Sequence, residues 1–308
     1  MAAAWKNVRG RALRPIARRL GDAVLGERGL LANRFVSAKL LPLSGDRPFL
    51  LVGENRETDP DLPVPPPELW RRWGLTLDSY LNGGRADAER IVADVAATGV
   101  DPTSLERVLD FGCAEGRVLR FFPRGDDADL WGVDVNADRI AWCQQNLTPP
   151  FRFATTTTAP HLPFADETFD LVYAISVFTH ISELADAWFL ELLRIVRPGG
   201  HLYLTIHDEH TIELLLDEGA DPGSTGELGD LVRAFDAETG VLSRNWAYFA
   251  VHADPGAQVF FRTSDLVQRW SLLAESRAVN PASIGYQTAL IFRRGEGNPP
   301  RPRSPRFA

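Results

Sequence analysis

The segment Val108-Leu109-Asp110-Phe111-Gly112-Cys113-Ala114-Glu115-Gly116-Arg117 constrains the fold of this chain more than any other. An apolar run that closes on an acid and enters a glycine-punctuated turn reads as a strand feeding a ligand loop ahead of a helix. Gly112 lets a ligand approach the backbone, and Gly116 lets the next helix pack closely at its start. Asp110 selects among ligands. A carboxylate just before the turn repels a pyrophosphate but receives the amino group of a cationic, amino-acid-bearing ligand. The loop also lacks the fuller G-x-G-x-x-G that holds dinucleotide phosphates at a helix N-terminus.

The next apolar run, Trp131-Gly132-Val133-Asp134-Val135, carries an acid 24 positions after Asp110. That is close to the offset of about 20 residues at which a strand-end carboxylate reaches ribose hydroxyls. Short apolar runs alternate with helical stretches from Arg107 onward, so the fold class is α/β, a doubly wound and mostly parallel sheet. Strands are predicted near Arg107–Phe111, Leu130–Asp134, Phe151–Ala154, Phe169–Ala174 and Gly200–His207, with helices beginning near Gly116, Ala137 and Glu183. Ser182 is placed at the N-cap of the last helix, and Pro198-Gly199-Gly200 closes it. An irregular stretch runs to His252, followed by a strand, helix and strand at Val259–Arg262, Ser264–Leu272 and Ile284–Phe292. Ahead of the sheet, Glu68–Leu81 and Arg85–Ala97 read as two helices.

Charge divides the chain. Residues 1–40 hold nine basic and two acidic side chains, so a net charge of −8 leaves −15 for the remainder. Leu13, Ile16, Ala17, Leu20 and Val24 recur at helical spacing among arginines, which describes an amphipathic basic helix that packs on its own domain or touches anionic lipid. Five prolines between Asp59 and Pro67 mark a stiff connection. The division expected is a basic helical extension over 1–58, a linker over 59–67, a catalytic-size domain over 68–294 and a disordered tail over 295–308. No apolar run reaches the roughly 18–20 residues of a bilayer-spanning helix. Two cysteines are too few for a disulfide framework and point to a reducing, cytoplasmic setting, with peripheral membrane contact through residues 1–40 left open. The acidic balance argues against a nucleic-acid-coating surface.

From Glu68 to Arg293 the chain resembles the class I S-adenosylmethionine-dependent methyltransferases. The resemblance rests on Val108–Arg117, on Gly132-Val133-Asp134, on the run from Leu162-Pro163-Phe164 through Phe169-Asp170-Leu171-Val172, and on Leu193-Arg194 through Pro198-Gly199-Gly200-His201-Leu202. It implies a seven-stranded sheet whose last strand, Ile284–Phe292, runs in reverse in a hairpin with Val259–Arg262. It also implies S-adenosylmethionine as cofactor. Asp110, Gly112, Cys113 and Gly116 would surround its methionine part, while Asp134 and Val135 would hold the ribose and adenine face. Ala174, Ile175 and Ser176 would border the sulfonium, and Thr158 or His161 would contact the base. The middle glycine common in the first loop is Ala114 here, which a right-handed or extended backbone accepts.

Methyl transfer is a direct displacement, so alignment dominates and a base is optional. His180 follows the fourth strand, whose carboxyl end faces the ligand crevice in open α/β sheets, and His207 follows the fifth. Both are candidates for the proton acceptor; a buttressing role for His180 stays open beside it. Tyr248, His252 and Tyr286 are candidate acceptor-pocket residues, and residues 207–255 would form an acceptor-side insertion. The function expected is O-methylation of a small molecule or glycan. Two alternatives stand next to it, a cofactor-binding adaptor without transferase activity and an RNA or protein methyltransferase.

Overall fold

The computed structural model describes residues 62–70, 76–125, 128–217, 222–253 and 256–296. The basic extension over 1–58, residues 59–61 of the proline-rich connection and the tail beyond residue 296 lie outside them. Strands β1 (Arg107–Phe111), β2 (Asp129–Asp134), β3 (Arg152–Thr155), β4 (Phe169–Ala174) and β5 (Val196–Ile206) are parallel where they pair. With β8 (Glu275–Ile284) and β9 (Gln287–Arg293) they make a seven-stranded sheet in the order 3-2-1-4-5-9-8. β9 is antiparallel to β5 and to β8. Seven α-helices accompany the described strands: α1 (Pro67–Trp70), α2 (Leu77–Ala97), α3 (Ala137–Asn146), α4 (Ala185–Ile195), α5 (Glu209–Leu216), α6 (Pro222–Thr239) and α7 (Thr263–Trp270).

Both faces of the sheet are covered, so its strands are apolar on both sides. One face packs on α4 and α7, where the Trp270 ring stacks on Phe189 at 4.3 Å and Phe292 meets both edge-on. Rings buried this fully contribute about 1.5–3 kcal/mol each. The other face packs on α2 and α3 through Ile91, Val95, Ile140 and Cys143.

The motifs that carry the resemblance hold one another in place. Asp170 Oδ2 accepts the backbone N–H groups of Glu106 and Arg107 at 2.8 Å, which ties the start of β1 to β4, and its carboxylate also pairs with Arg197. Arg194 donates to the carbonyls of Leu162 and Phe164 and to both oxygens of Glu191, while Glu191 accepts the Leu162 N–H. The Leu-Pro-Phe loop is thereby clamped to α4.

Several expectations are corrected. The break expected between Leu81 and Arg85 is absent: α2 runs through it from Leu77 to Ala97, because Gly83-Gly84 is a crossing point, where a Cβ on Gly84 would lie 2.3 Å from the Arg117 carbonyl. Glu68–Trp70 belong to the short α1. Helix α4 begins at Ala185, and its N-cap position is Leu184 rather than Ser182. No α-helix follows Gly116. Turns lead instead to one 3-10 turn, Leu119–Phe121, after which Phe122 is extended ahead of Pro123, the conformation a residue before proline prefers. The flank left by this shortened crossover is covered by residues 62–70. Arg120 donates to the Pro63 carbonyl, Trp70 Nε1 to the Pro65 carbonyl at 2.9 Å and Arg139 to the Leu69 carbonyl at 3.3 Å, while the Trp70 ring lies 5.5 Å from Tyr80.

The hairpin partner of the reversed strand is β8, not Val259–Arg262. The latter stretch falls in β7 (Gly256–Phe261), which pairs with β6 (Tyr248–Ala253) in a separate two-stranded sheet. β8 is an edge strand whose residues alternate in exposure along most of its length, so it lacks an apolar run and tolerates Pro281. It turns into β9 through Gly285-Tyr286, with Gly285 at a φ of 58°. A glycine with positive φ at the first of two loop positions is the pattern of a type II′ hairpin. The 207–255 region builds a third apolar cluster from Ile212, Leu215, Val232, Trp246, Phe249 and Phe260.

Candidate functional site

The carboxyl ends of β1, β2 and β4 lie side by side in the sheet. Asp110 lies beside Gly132 and Tyr173 in register, so its side chain and that of Asp134 rise from the same face of the sheet. Asp134 is fixed from both sides. Its Oδ2 accepts the Ala114 N–H at 2.9 Å and its Oδ1 the Asn136 N–H at 2.7 Å, and a carboxylate has further acceptor capacity beyond these two bonds. Burial raises the pKa of both carboxyls. Asp110 is pushed up to about 8, with Asp134 adding to the effect and the Tyr173 hydroxyl and Arg117 opposing it. For Asp134 the Asn136 N–H and Arg139 oppose the rise.

The loop is less open than its sequence suggests. The N–H groups of Gly112 and Cys113 both donate to the Val133 carbonyl, at 2.8 and 3.0 Å. The Cys113 thiol packs back toward Gly132, where an added Cβ would sit 2.8 Å from its sulfur. Gly116 has a φ of 75° and a Cβ there would lie 2.9 Å from Leu147 Cδ1, so backbone conformation and packing both call for glycine. Ala114 has a φ of 50°, which corrects the expectation of a right-handed or extended backbone there. An L-residue in that region costs about 1–2 kcal/mol, and the bond from Ala114 N–H to Asp134 helps hold it.

Gly112 has the opposite requirement. Its φ is 87°, and a Cβ there would lie 2.3 Å from Val177 Cγ2. Gly112→Ala is therefore expected to lower stability by about 2–4 kcal/mol, from overpacking plus left-handed strain. Thermal denaturation of the two proteins checks this; a melting temperature within 2 °C, roughly the shift of a ΔΔG below 1 kcal/mol, contradicts it.

Val135, just past β2, and Thr158 are partly exposed, His161 is exposed, and Ala174 is buried at the end of β4. Ser176 is held in a left-handed conformation, φ 56°, by a closed ring of bonds: Ser176 N–H to Thr205 Oγ1, Thr205 Oγ1 to Gln287 Oε1 and Gln287 Nε2 to Ser176 Oγ. Three residues past Val177, in the 3-10 turn Phe178–His180, the His180 Nδ1 lies 2.9 Å from the Ala257 carbonyl. A carbonyl only accepts, so this bond places the proton on Nδ1 and leaves Nε2 as the basic nitrogen. Burial lowers the basicity of His180.

His207 is 2% exposed between the rings of Phe260 and Tyr286, at 5.1 and 5.5 Å. Neither of its ring nitrogens has a hydrogen-bond partner, and burial together with nearby His180 lowers its pKa to about 3. Its neighbours in sequence diverge. Asp208 caps α5 through Thr211 and bonds Thr263, Glu209 accepts the Thr263 N–H, and His210 pairs with Glu213 at the surface. Tyr248 is 43% exposed on β6.

The structure adds residues that sequence reasoning passed over. Both oxygens of Glu115, which is fully buried, lack a hydrogen bond; Arg139 Nε lies 3.5 Å away, and the unbonded Tyr80 hydroxyl is close by. Thr155, opposite Asp134 in register, is also buried with its hydroxyl unbonded. An acid inside an otherwise apolar loop was the available signal for Glu115; Tyr80 and Thr155 offered none.

Comparison with known proteins agrees with this geometry. Residues 109–204 match the methyltransferase domain family. A fatty-acid O-methyltransferase of Mycolicibacterium smegmatis is 25% identical over 191 residues, 62% of this chain and 63% of that protein. A ubiquinone biosynthesis O-methyltransferase of Mesorhizobium japonicum is 27% identical over 56% of this chain and 74% of its own length. A sterol 24-C-methyltransferase of Schizosaccharomyces pombe is 35% identical over 33% of this chain and 27% of its own. The chain thus spans less than two thirds of the fatty-acid and sterol enzymes. Over residues 109–204, then, the chain is similar to the methyltransferase domain family, and that stretch lies within the seven-stranded sheet of order 3-2-1-4-5-9-8.

Proposed function

We propose that this protein transfers a methyl group from S-adenosylmethionine to an oxygen of a small-molecule acceptor, through a catalytic domain over 68–294 with an acceptor-side insertion over 207–255. The observation that carries the reading is Asp134 at the carboxyl end of β2, fixed by the N–H groups of Ala114 and Asn136 on the same face of the sheet as Asp110. That arrangement suits a pair of ribose hydroxyls. Asp110 and the unsatisfied Glu115 suit a ligand bearing positive charge and disfavour phosphate. The cofactor, when bound, supplies an electrophilic methyl on a sulfonium.

The chain's own groups would do the rest. Val135 and Thr158 border the base, and the Ser176 ring fixes the backbone at the end of β4 where the acceptor arrives. Gly112, Cys113 and Gly116 shape the loop around the methionine end and Ala174 closes the floor. His180 Nε2 takes the acceptor proton, which the Ala257 carbonyl favours by holding Nδ1–H.

Titration calorimetry tests the reading. S-adenosylmethionine and S-adenosylhomocysteine should bind in the micromolar range, about −8 kcal/mol. Binding of the cation should release protons from Asp110 at pH 7, so the heat should vary with the ionisation enthalpy of the buffer. Heat with NADH and none with either sulfur ligand rejects the proposal.

A further inference from the structure

We infer that the acceptor presents an uncharged hydroxyl on an apolar or aromatic body, seated between His180 and His207; this rests on the transferase reading above. His180 is tied to the cofactor loop through Val177, which covers Gly112 and accepts the His180 N–H at 2.9 Å. From there the fold brings in His207 at the end of β5, Phe260 on β7 and Tyr286 at the β8–β9 turn. The rings of Phe260 and Tyr286 flank His207. Two neutral polar groups of this neighbourhood are unsatisfied: both nitrogens of His207 and the buried Thr179 hydroxyl have no bond.

The acids near this place are committed elsewhere. Asp208 and Glu209 are occupied as caps by Thr211 and Thr263, and the Ser176, Thr205 and Gln287 ring is closed on itself. His252 stands opposite Ala257 on β6. An acceptor carboxylate would meet a histidine, His207, that burial keeps uncharged, and an acceptor ammonium would meet no uncommitted acid among these residues. A hydroxyl satisfies both sides. It accepts from one ring nitrogen and donates to another, as a buried neutral imidazole requires. In the transfer its oxygen forms the bond to the methyl carbon, the carbon–sulfur pair stays on sulfur, and the hydroxyl proton passes to His180 Nε2 and on to solvent.

A matched set of probes decides the matter: 2-naphthol, 2-naphthoate and 2-naphthylmethylammonium, each titrated into the full chain saturated with S-adenosylhomocysteine and labelled with 15N-histidine. The expected result is that 2-naphthol shifts the ring resonances of His180 and His207 while the charged probes leave them in place. With S-adenosylmethionine, 2-naphthol should yield its methyl ether. His207→Phe should lower its kcat/KM at least tenfold with S-adenosylhomocysteine affinity within twofold. Larger shifts with either charged probe, or none with any of the three, overturn the inference. Calorimetry with S-adenosylhomocysteine separates the two levels, since loss of that binding sinks the transferase reading itself.

Discussion

Replacing Asp134 by alanine is expected to weaken S-adenosylhomocysteine binding on the order of 100-fold. Each hydrogen bond to a charged group contributes about 1.5–3 kcal/mol, and the carboxylate would supply one to each ribose hydroxyl. Two such losses come to about 3 kcal/mol or more, and 1.4 kcal/mol is a factor of ten. The same substitution frees the N–H groups of Ala114 and Asn136, so the left-handed Ala114 loses part of what holds it. Asp134→Asn keeps one acceptor oxygen and should fall between the two. Titration calorimetry, with thermal melts to confirm folding, measures both variants. A loss under threefold for the alanine variant would remove Asp134 from the site.

His180→Ala should leave cofactor affinity within twofold and lower kcat by 100-fold or more, the usual contribution of a positioned base. The pH profile carries the sign. Burial holds the folded-state pKa of His180 below 6.5, and the base is active when neutral, so wild-type turnover should persist below pH 6.5 and fall as pH drops through that lowered value. The alanine variant should lose this acid limb. Added imidazole should restore part of its turnover, which a purely buttressing histidine would not allow. Unchanged kcat in the variant excludes the role.

Much of the sheet was legible because its signals are local. β1 and β4 fall where the apolar runs stand, and Asp170 and Arg194 lie in motifs whose spacing reflects direct bonds between them and their loops. The errors arise where tertiary contact overrides a local rule. Gly84 looks like a helix breaker and is instead the place where α2 crosses the Arg117 carbonyl. Pro123 ends the crossover after Gly116 before a helical turn can repeat. β8 hid because an edge strand needs few apolar residues, and its partner was sought in β7. The positions of Asp110 and Asp134 at strand ends, and of His180 just after β4, were readable from the local pattern. The inward Cys113 thiol, the positive φ of Ala114 and the isolated imidazole of His207 depend on neighbours that no single segment specifies.

The cover formed by residues 62–70 has a mechanical consequence. Arg120 and Arg139 each grip one of its carbonyls, and Arg139 also pairs with Glu115 in the ligand loop. A tether, tag or bound surface that tugs on the chain ahead of Leu62 would load the donor cradle through two guanidinium links.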